Sequence, residues 1–233
     1  MIPKVIHLCW FSDDPYPVEI KVCLDTWKRL MPDYVVKVWD YAAAKSIGSA
    51  FIDEALEARK WAFAADVVRF YAVYKEGGIY MDSDIYLLRR FDEILQEDGF
   101  VTFGEKDKEE FGLQAAFFMG TAGNAFCKKM FEYYKNCHFK NSDGSFNDTI
   151  SPYTMSAVAK SFGWQIKDEK QVLPGLTVYP THFVAPNNHY PVDGETIGVH
   201  RVAGSWRKRK LGRFLEIKVK HLWHVVRYAL FKK

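Results

Sequence analysis

The chain has 233 residues, 48% of them hydrophobic and 16% aromatic, with 32 Lys and Arg against 29 Asp and Glu for a net charge of +3. That length and apolar content suffice for a sizeable core in one domain, with or without an appendage, and exclude an intrinsically disordered protein. No stretch approaches the ~20 apolar residues needed to span a bilayer, which excludes a helical integral membrane protein.

Residues 2–10 read as a buried strand, apolar on both faces (Ile6, Leu8 and Trp10 against Val5 and Cys9), as expected for the first strand of an α/β sheet. Pro3, Lys4 and His7 interrupt it, so it does not read as a signal peptide. Pro15 and Pro17 mark a loop; a helix is predicted over 19–30, stopped before Pro32, and a second strand over 35–39. Residues 61–76 have helical composition and period, and Gly77-Gly78 supplies the stop. On that helix Asp66 and Arg69 are three apart and share a face; in apolar surroundings they either pair or point together into a polar site.

The run Ile79-Tyr80-Met81-Asp82-Ser83-Asp84-Ile85-Tyr86-Leu87-Leu88 reads as an apolar strand interrupted by two acids. Alternation along a strand puts Asp82 and Asp84 on one face, where both can approach one hard cation, and a cation there suits a diphosphate. A polar turn between two strands is the plainer alternative. Acids two apart recur within the charged run 105–110, which reads as solvated surface, and at Asp193 and Glu195 in a loop; only the first pair sits among apolar residues, where bare carboxylates are costly. Strands are predicted over 100–103 and 115–119 and a helix over 125–134, with Phe126, Met130 and Phe131 inward. Residues 174–199, rich in Pro, Asn, Gly and His, suggest long loops around a site.

Cys9, Cys23, Cys127 and Cys137 form no CxxC pair and read as thiols of a reducing compartment, which points to the cytoplasm. Charge is uneven: residues 207–233 hold ten Lys and Arg against Glu216, a local +9, leaving 22 basic and 28 acidic residues elsewhere, or −6. On a helical projection Leu215, Val219, Leu222, Trp223, Val226 and Leu230 form one apolar arc with Arg213, Lys220, His224 and Arg227 opposite. This basic amphipathic helix suits an anionic membrane surface, on the inner face of the plasma membrane, and equally suits packing on the domain with a solvated basic face.

Four blocks then stand out: residues 2–10 (IPKVIHLCW), 65–70 (ADVVRF), 77–84 (GGIYMDSD) and 200–206 (HRVAGSW). In this order they resemble the DXD-containing sugar transferases of glycosyltransferase family 32. That group includes bacterial capsular and cell-surface polysaccharide transferases and yeast mannosyltransferases, and is more distantly similar to the glucosylating domains of large clostridial toxins. The resemblance implies a GT-A fold over residues 1–206, a nucleotide-sugar donor with a UDP-hexose favoured, Mn²⁺ or Mg²⁺, and transfer with retention to a glycan or lipid-linked acceptor.

Carried over by residue, the resemblance implies that Trp10 stacks on the base, although a strand tryptophan also serves as core filler. Asp66 and Arg69 grip the sugar and the ribose or phosphate region, Tyr80 and Ser83 line the donor pocket, and Asp82 contacts ribose or metal. Asp84 is the firmer metal ligand, His200 a candidate third, and Ser205 and Trp206 close over the diphosphate. Relatives often carry Thr-Gly-Pro after the acidic pair where this chain has Ile150-Ser151-Pro152, so Asn147 and Asp148 are only weak acceptor-side candidates beside plain loop solvation. Two other function classes fit less of the pattern. A phosphohydrolase with an aspartate nucleophile needs an acid on the first strand, which has none. A non-enzymatic basic adaptor on membrane or nucleic acid leaves the acidic pair and Asp66/Arg69 unexplained, so no nucleic-acid partner is expected.

Overall fold

The structure is a computed structural model that describes residues 1–94, 98–107 and 110–201. Ser205, Trp206 and the basic segment 207–233 lie outside the described residues.

The elements run β1 (Val5–Cys9), α1 (Val18–Leu30), β2 (Val35–Trp39), α2 (Tyr41–Lys45), α3 (Ala50–Glu57), α4 (Trp61–Glu76), β3 (Gly78–Met81) and β4 (Ile85–Leu87). They continue with β5 (Phe100–Asp107), β6 (Glu110–Leu113), β7 (Phe117–Gly120), α5 (Ala125–Lys135), α6 (Ser151–Lys160), β8 (Gln171–Leu173), β9 (Leu176–Tyr179), β10 (Val184–Ala185) and β11 (Gly198–His200). The main sheet has the order β2-β1-β3-β7-β5-β9-β8, with β6 paired to β5. Its first three strands are parallel; β7 is antiparallel to both β3 and β5, and β9 returns parallel to β5. The α/β class expected from the sequence is borne out as a mixed sheet covered on both faces.

Side-chain alternation sorts the two apolar layers. Ile79 and Met81 of β3 join Phe117 and Met119 of β7, with Trp27 of α1, in one layer; Tyr80 and Phe118 join the layer of α3, α4 and α5. α4 is the central helix, with Phe63 to Phe70 buried without a break, which is why its sequence is apolar on nearly every side. It ends at Gly77, whose φ of 66° and following φ of 107° at Gly78 turn the chain straight into β3. A Cβ at Gly78 would lie 2.6 Å from Val5 O and one at Gly77 2.8 Å from Ala122 N, so this reversal demands both glycines.

Three sequence expectations are corrected. The first strand begins at Val5, and Trp10 lies beyond its end. Of the charged run 105–110, residues 105–107 close β5 and Glu110 opens β6, so this part of the run is paired backbone as well as solvated surface. Residues 174–199 are more than loops: they supply β9, β10 and part of β11, and β10-β11-β4 form a separate three-stranded sheet. These short strands lack a long alternating pattern, so pairing across the fold defines them more than local sequence does.

Candidate metal centre

The acidic pair does not ride on a continuous strand. The chain leaves the main sheet at Met81 and enters the small sheet at Ile85, and residues between them form a turn closed by Ile85 N–H donating to Asp82 O at 3.0 Å. The shared-face argument from strand alternation therefore fails, because one strand cannot serve two sheets. The turn unites the carboxylates by another route. Asp82, Asp84 and His200 each offer a ligand atom, and the three atoms lie within 4.8 Å of one another.

The small sheet is what delivers the histidine. β11 pairs antiparallel with β4 in a register that sets His200 opposite Ile85, and Arg201 N–H donates to Asp84 O at 3.0 Å. His200 Nε2 comes to 3.4 Å from Asp84 Oδ1. Burial works against a charged imidazole here, but the Asp84 carboxylate outweighs it and raises His200 to about 9. Nδ1 of His200 is buried with no hydrogen-bond partner among the described residues. Two carboxylates and an imidazole are a donor set suited to Mn²⁺ or Mg²⁺, so the residues present fit the divalent ion that the DXD pattern implies.

Asp66 and Arg69 form a second cluster directly behind the first. Nη2 of Arg69 is 3.0 Å from Asp66 Oδ1 and 3.6 Å from Asp82 Oδ1. Its Nε donates to Ala65 O at 3.0 Å and Nη1 to Ala115 O at 2.8 Å, so the guanidinium is anchored across α4 and the segment before β7. Asp66 accepts from Ser151 Oγ at 2.7 Å and Ser151 N–H at 3.3 Å at the start of α6. Burial raises the Asp66 carboxyl, opposed by Arg69 and Ser151. The pair expected from the helix spacing is formed, and it is largely closed on itself.

Tyr80 presents no surface to a pocket: it is 1% exposed, with its ring stacked on Phe118 and under Arg69, and only its hydroxyl reaches the edge. Burial, partly opposed by Arg69, holds that phenol well above its ordinary range. Trp10 is not core filler. It is half-buried past the carboxyl end of β1, its indole N–H donating to Asp14 O at 2.9 Å and its ring edge-on to Tyr16. β1 and β3 are adjacent and parallel, so Trp10 and Asp82 emerge at the same edge of the sheet, where α/β sheets place ligands. Ser83 is half-buried within the turn. Asn147 spends its side chain on Thr149 N–H at 3.2 Å and Asp148 is exposed.

Sequence reasoning missed two residues that matter. Ser151, in the element where the chain departs from Thr-Gly-Pro, is the one that reaches Asp66; Pro152 after it, marking a helix start, is the available signal. His7 is fully buried, with Nε2 2.7 Å from Gly77 O and Nδ1 3.1 Å from Trp39 Nε1.

Comparison with known proteins gives three likenesses. Residues 17–101 match the family described as a glycosyltransferase sugar-binding region containing a DXD motif, a stretch that includes Asp66, Arg69, Tyr80, Asp82 and Asp84. Inositol phosphoceramide mannosyltransferase 3 of Schizosaccharomyces pombe is 31% identical over 107 residues, which cover 43% of this chain and 29% of that enzyme. The chain therefore matches under a third of that relative's length. Among solved structures, PaToxG glycosyltransferase superposes with a TM-score of 0.53 at 18% identity, covering 69% of each chain, a likeness of fold. The resemblance to DXD sugar transferases and the GT-A type of fold read from the sequence are thus borne out.

Proposed function

We propose that this chain is a metal-dependent, retaining glycosyltransferase that moves a hexose from a nucleotide-sugar donor, a UDP-hexose by preference, to a glycan or lipid-linked acceptor in surface polysaccharide synthesis. The observation that carries the reading is the trio Asp82, Asp84 and His200, with ligand atoms within 4.8 Å, at the sheet edge where Trp10 also emerges.

Breaking the bond between the anomeric carbon and the diphosphate builds negative charge on the leaving group, and fixed positive charge there lowers the barrier. A divalent ion held by Asp82, Asp84 and His200 supplies Lewis-acid neutralisation of that charge when bound. Arg69, pinned by Ala65 O, Ala115 O and Asp66, adds a fixed positive charge behind the same edge. Trp10 offers a half-buried ring to the base and Ser83 a hydroxyl within the turn; the diphosphate role that the resemblance implies for Ser205 and Trp206 falls on residues outside those described. No side chain of the cluster is placed as a nucleophile. In this reading the acceptor hydroxyl attacks from the leaving-group side, a new C–O bond forms as the sugar–phosphate bond breaks, and the hydroxyl proton passes to a diphosphate oxygen.

The deciding experiment is a sugar-nucleotide panel in Mn²⁺, Mg²⁺ or chelator, reading released nucleoside diphosphate and, with acceptor, the anomeric configuration by NMR. Release from one UDP-hexose that depends on added ion, with a retained anomer, is expected. Release that is indifferent to chelator defeats the metal assignment, and an inverted product defeats retention.

No helix among the described residues is long and apolar enough to cross a membrane. The amphipathic basic pattern of 207–233 supports docking on anionic lipid close to a lipid-linked acceptor. Liposome flotation of the full chain, but not of a chain ending at Trp206, is the expected result; equal flotation of both rejects it.

A further inference from the structure

Asp82 stands between two claimants. Arg69 Nη2 is 3.6 Å from its Oδ1, close enough to attract and too far for a hydrogen bond. On the other side lies the position shared with Asp84 and His200. A carboxylate free to rotate would swing onto the guanidinium and complete an Arg–Asp pair, withdrawing from any cation, because such charge-assisted bonds are among the strongest a side chain makes.

A tyrosine hydroxyl opposes that rotation. The Tyr80 hydroxyl donates to Asp82 Oδ1 at 2.6 Å. The phenol cannot follow the carboxylate if it moves, since its ring is stacked on Phe118 at 5.3 Å and covered by the Arg69 guanidinium 4.8 Å from the ring centroid. Arg69 is equally fixed by its bonds to Ala65 O and Ala115 O. Both neighbours of Oδ1 are therefore rigid, and both contacts fall on the same oxygen.

We infer that Tyr80 is a positioning residue for the metal centre: its hydroxyl fixes Asp82 through Oδ1, keeps the carboxylate off Arg69 and commits it to a divalent cation shared with Asp84 and His200. The inference rests on the metal reading above and changes the part assigned to Tyr80 from pocket lining to support of a ligand. Partners of this kind orient metal ligands, and removing one costs about 10–100-fold in metal affinity.

The test is Mn²⁺ binding to the full chain without donor, followed by the electron paramagnetic resonance signal of free Mn²⁺, for the wild type, Tyr80→Phe and Asp84→Asn. Tyr80→Phe keeps the ring and its stacking, so its circular dichroism should match the wild type and its melting midpoint should drop no further than that of Ser151→Ala, which also loses one hydrogen bond to a carboxylate, while Kd for Mn²⁺ rises about 10–100-fold. In turnover the loss should appear as a higher Mn²⁺ requirement, with kcat recovered at saturating Mn²⁺, a rescue that packing damage would not give. If Asp84→Asn loses binding but Tyr80→Phe binds like the wild type, the positioning role is overturned and the metal centre stands. If the wild type does not bind Mn²⁺, or Asp84→Asn binds as well as the wild type, the metal reading fails and this inference falls with it.

Discussion

Two clusters of charge sit within one side chain's length of each other and are built on opposite plans. The cluster on α4 is closed: Asp66 has Arg69 and two donors from Ser151, and Arg69 has two carbonyls besides. The cluster at the turn is open, with two carboxylates and a histidine drawn together, Asp82 a quarter exposed and His200 Nδ1 without a hydrogen-bond partner among the described residues. Folding tolerates a buried ion pair when its own hydrogen bonds satisfy it. Like charges brought together with a polar atom left unsatisfied are a cost that folding alone does not explain. The closed pair satisfies its own groups and fixes the Arg69 charge behind the turn, whereas the open cluster is the arrangement that the proposed cation would use.

The largest effect expected from that separation falls on activity. Asp84→Asn removes one charge of the open cluster at nearly constant shape. Transfer should drop about 10³-fold or more, the scale of losing a main electrostatic contact to the leaving group. Stability should stay within about 1 kcal/mol, because losing the His200 interaction is offset by relieving repulsion with Asp82. Donor turnover paired with urea unfolding checks both halves. Near-normal turnover would remove the cation site, and a large fall in stability would make the open cluster structural after all.

The closed cluster should behave the other way in stability. Asp66→Ala strands a buried guanidinium, a change that costs about 3–5 kcal/mol. Ser151→Ala removes a hydrogen bond to a charged group and should cost about 1.5–3 kcal/mol. Unfolding midpoints at equal urea dependence measure both. If Asp66→Ala proves as stable as the wild type while donor affinity collapses, the α4 pair belongs with the site and the division drawn here is wrong.

Much of this architecture was legible because the residues that form it are neighbours in sequence. The α4 helix, its Gly77-Gly78 stop and the Asp66/Arg69 spacing follow from local pattern, and β2 and most of β1 follow from their runs of Val, Ile and Leu. The turn at residues 82–84 was misread as a strand because apolar residues flank it on both sides, and nothing local says that those flanks join different sheets. His200 entered the site through resemblance alone. Its true cause, the β4–β11 register, links residues more than a hundred positions apart and leaves no trace in either segment. Ser151 was passed over because its partner, Asp66, lies 85 residues away.

The smallest predicted effect concerns the two histidines, which repeat the contrast in a single residue type. His7 has both ring nitrogens engaged: Trp39 Nε1–H donates to Nδ1, so Nε2 carries the proton and donates to Gly77 O. Protonating Nδ1 would set two donors against each other inside the core. Burial accordingly lowers the His7 pKa below its ordinary 6.5, in spite of the Gly77 carbonyl. The folded chain then binds fewer protons than the unfolded chain at mildly acid pH. Above about pH 6.5 neither state is protonated and His7 adds no pH dependence; below it the unfolded state takes up the proton first. Stability should fall with pH by at most about 1.4 kcal/mol per unit from this residue until the folded pKa is reached. His7→Gln keeps a neutral polar side chain and cannot titrate. Urea unfolding at pH 7.5 and 5.5 should therefore show a smaller acid loss in the variant than in the wild type, whatever its stability at neutral pH. Equal losses would mean that His7 is not the closed, neutral counterpart of His200, and that the acid sensitivity of the fold lies elsewhere.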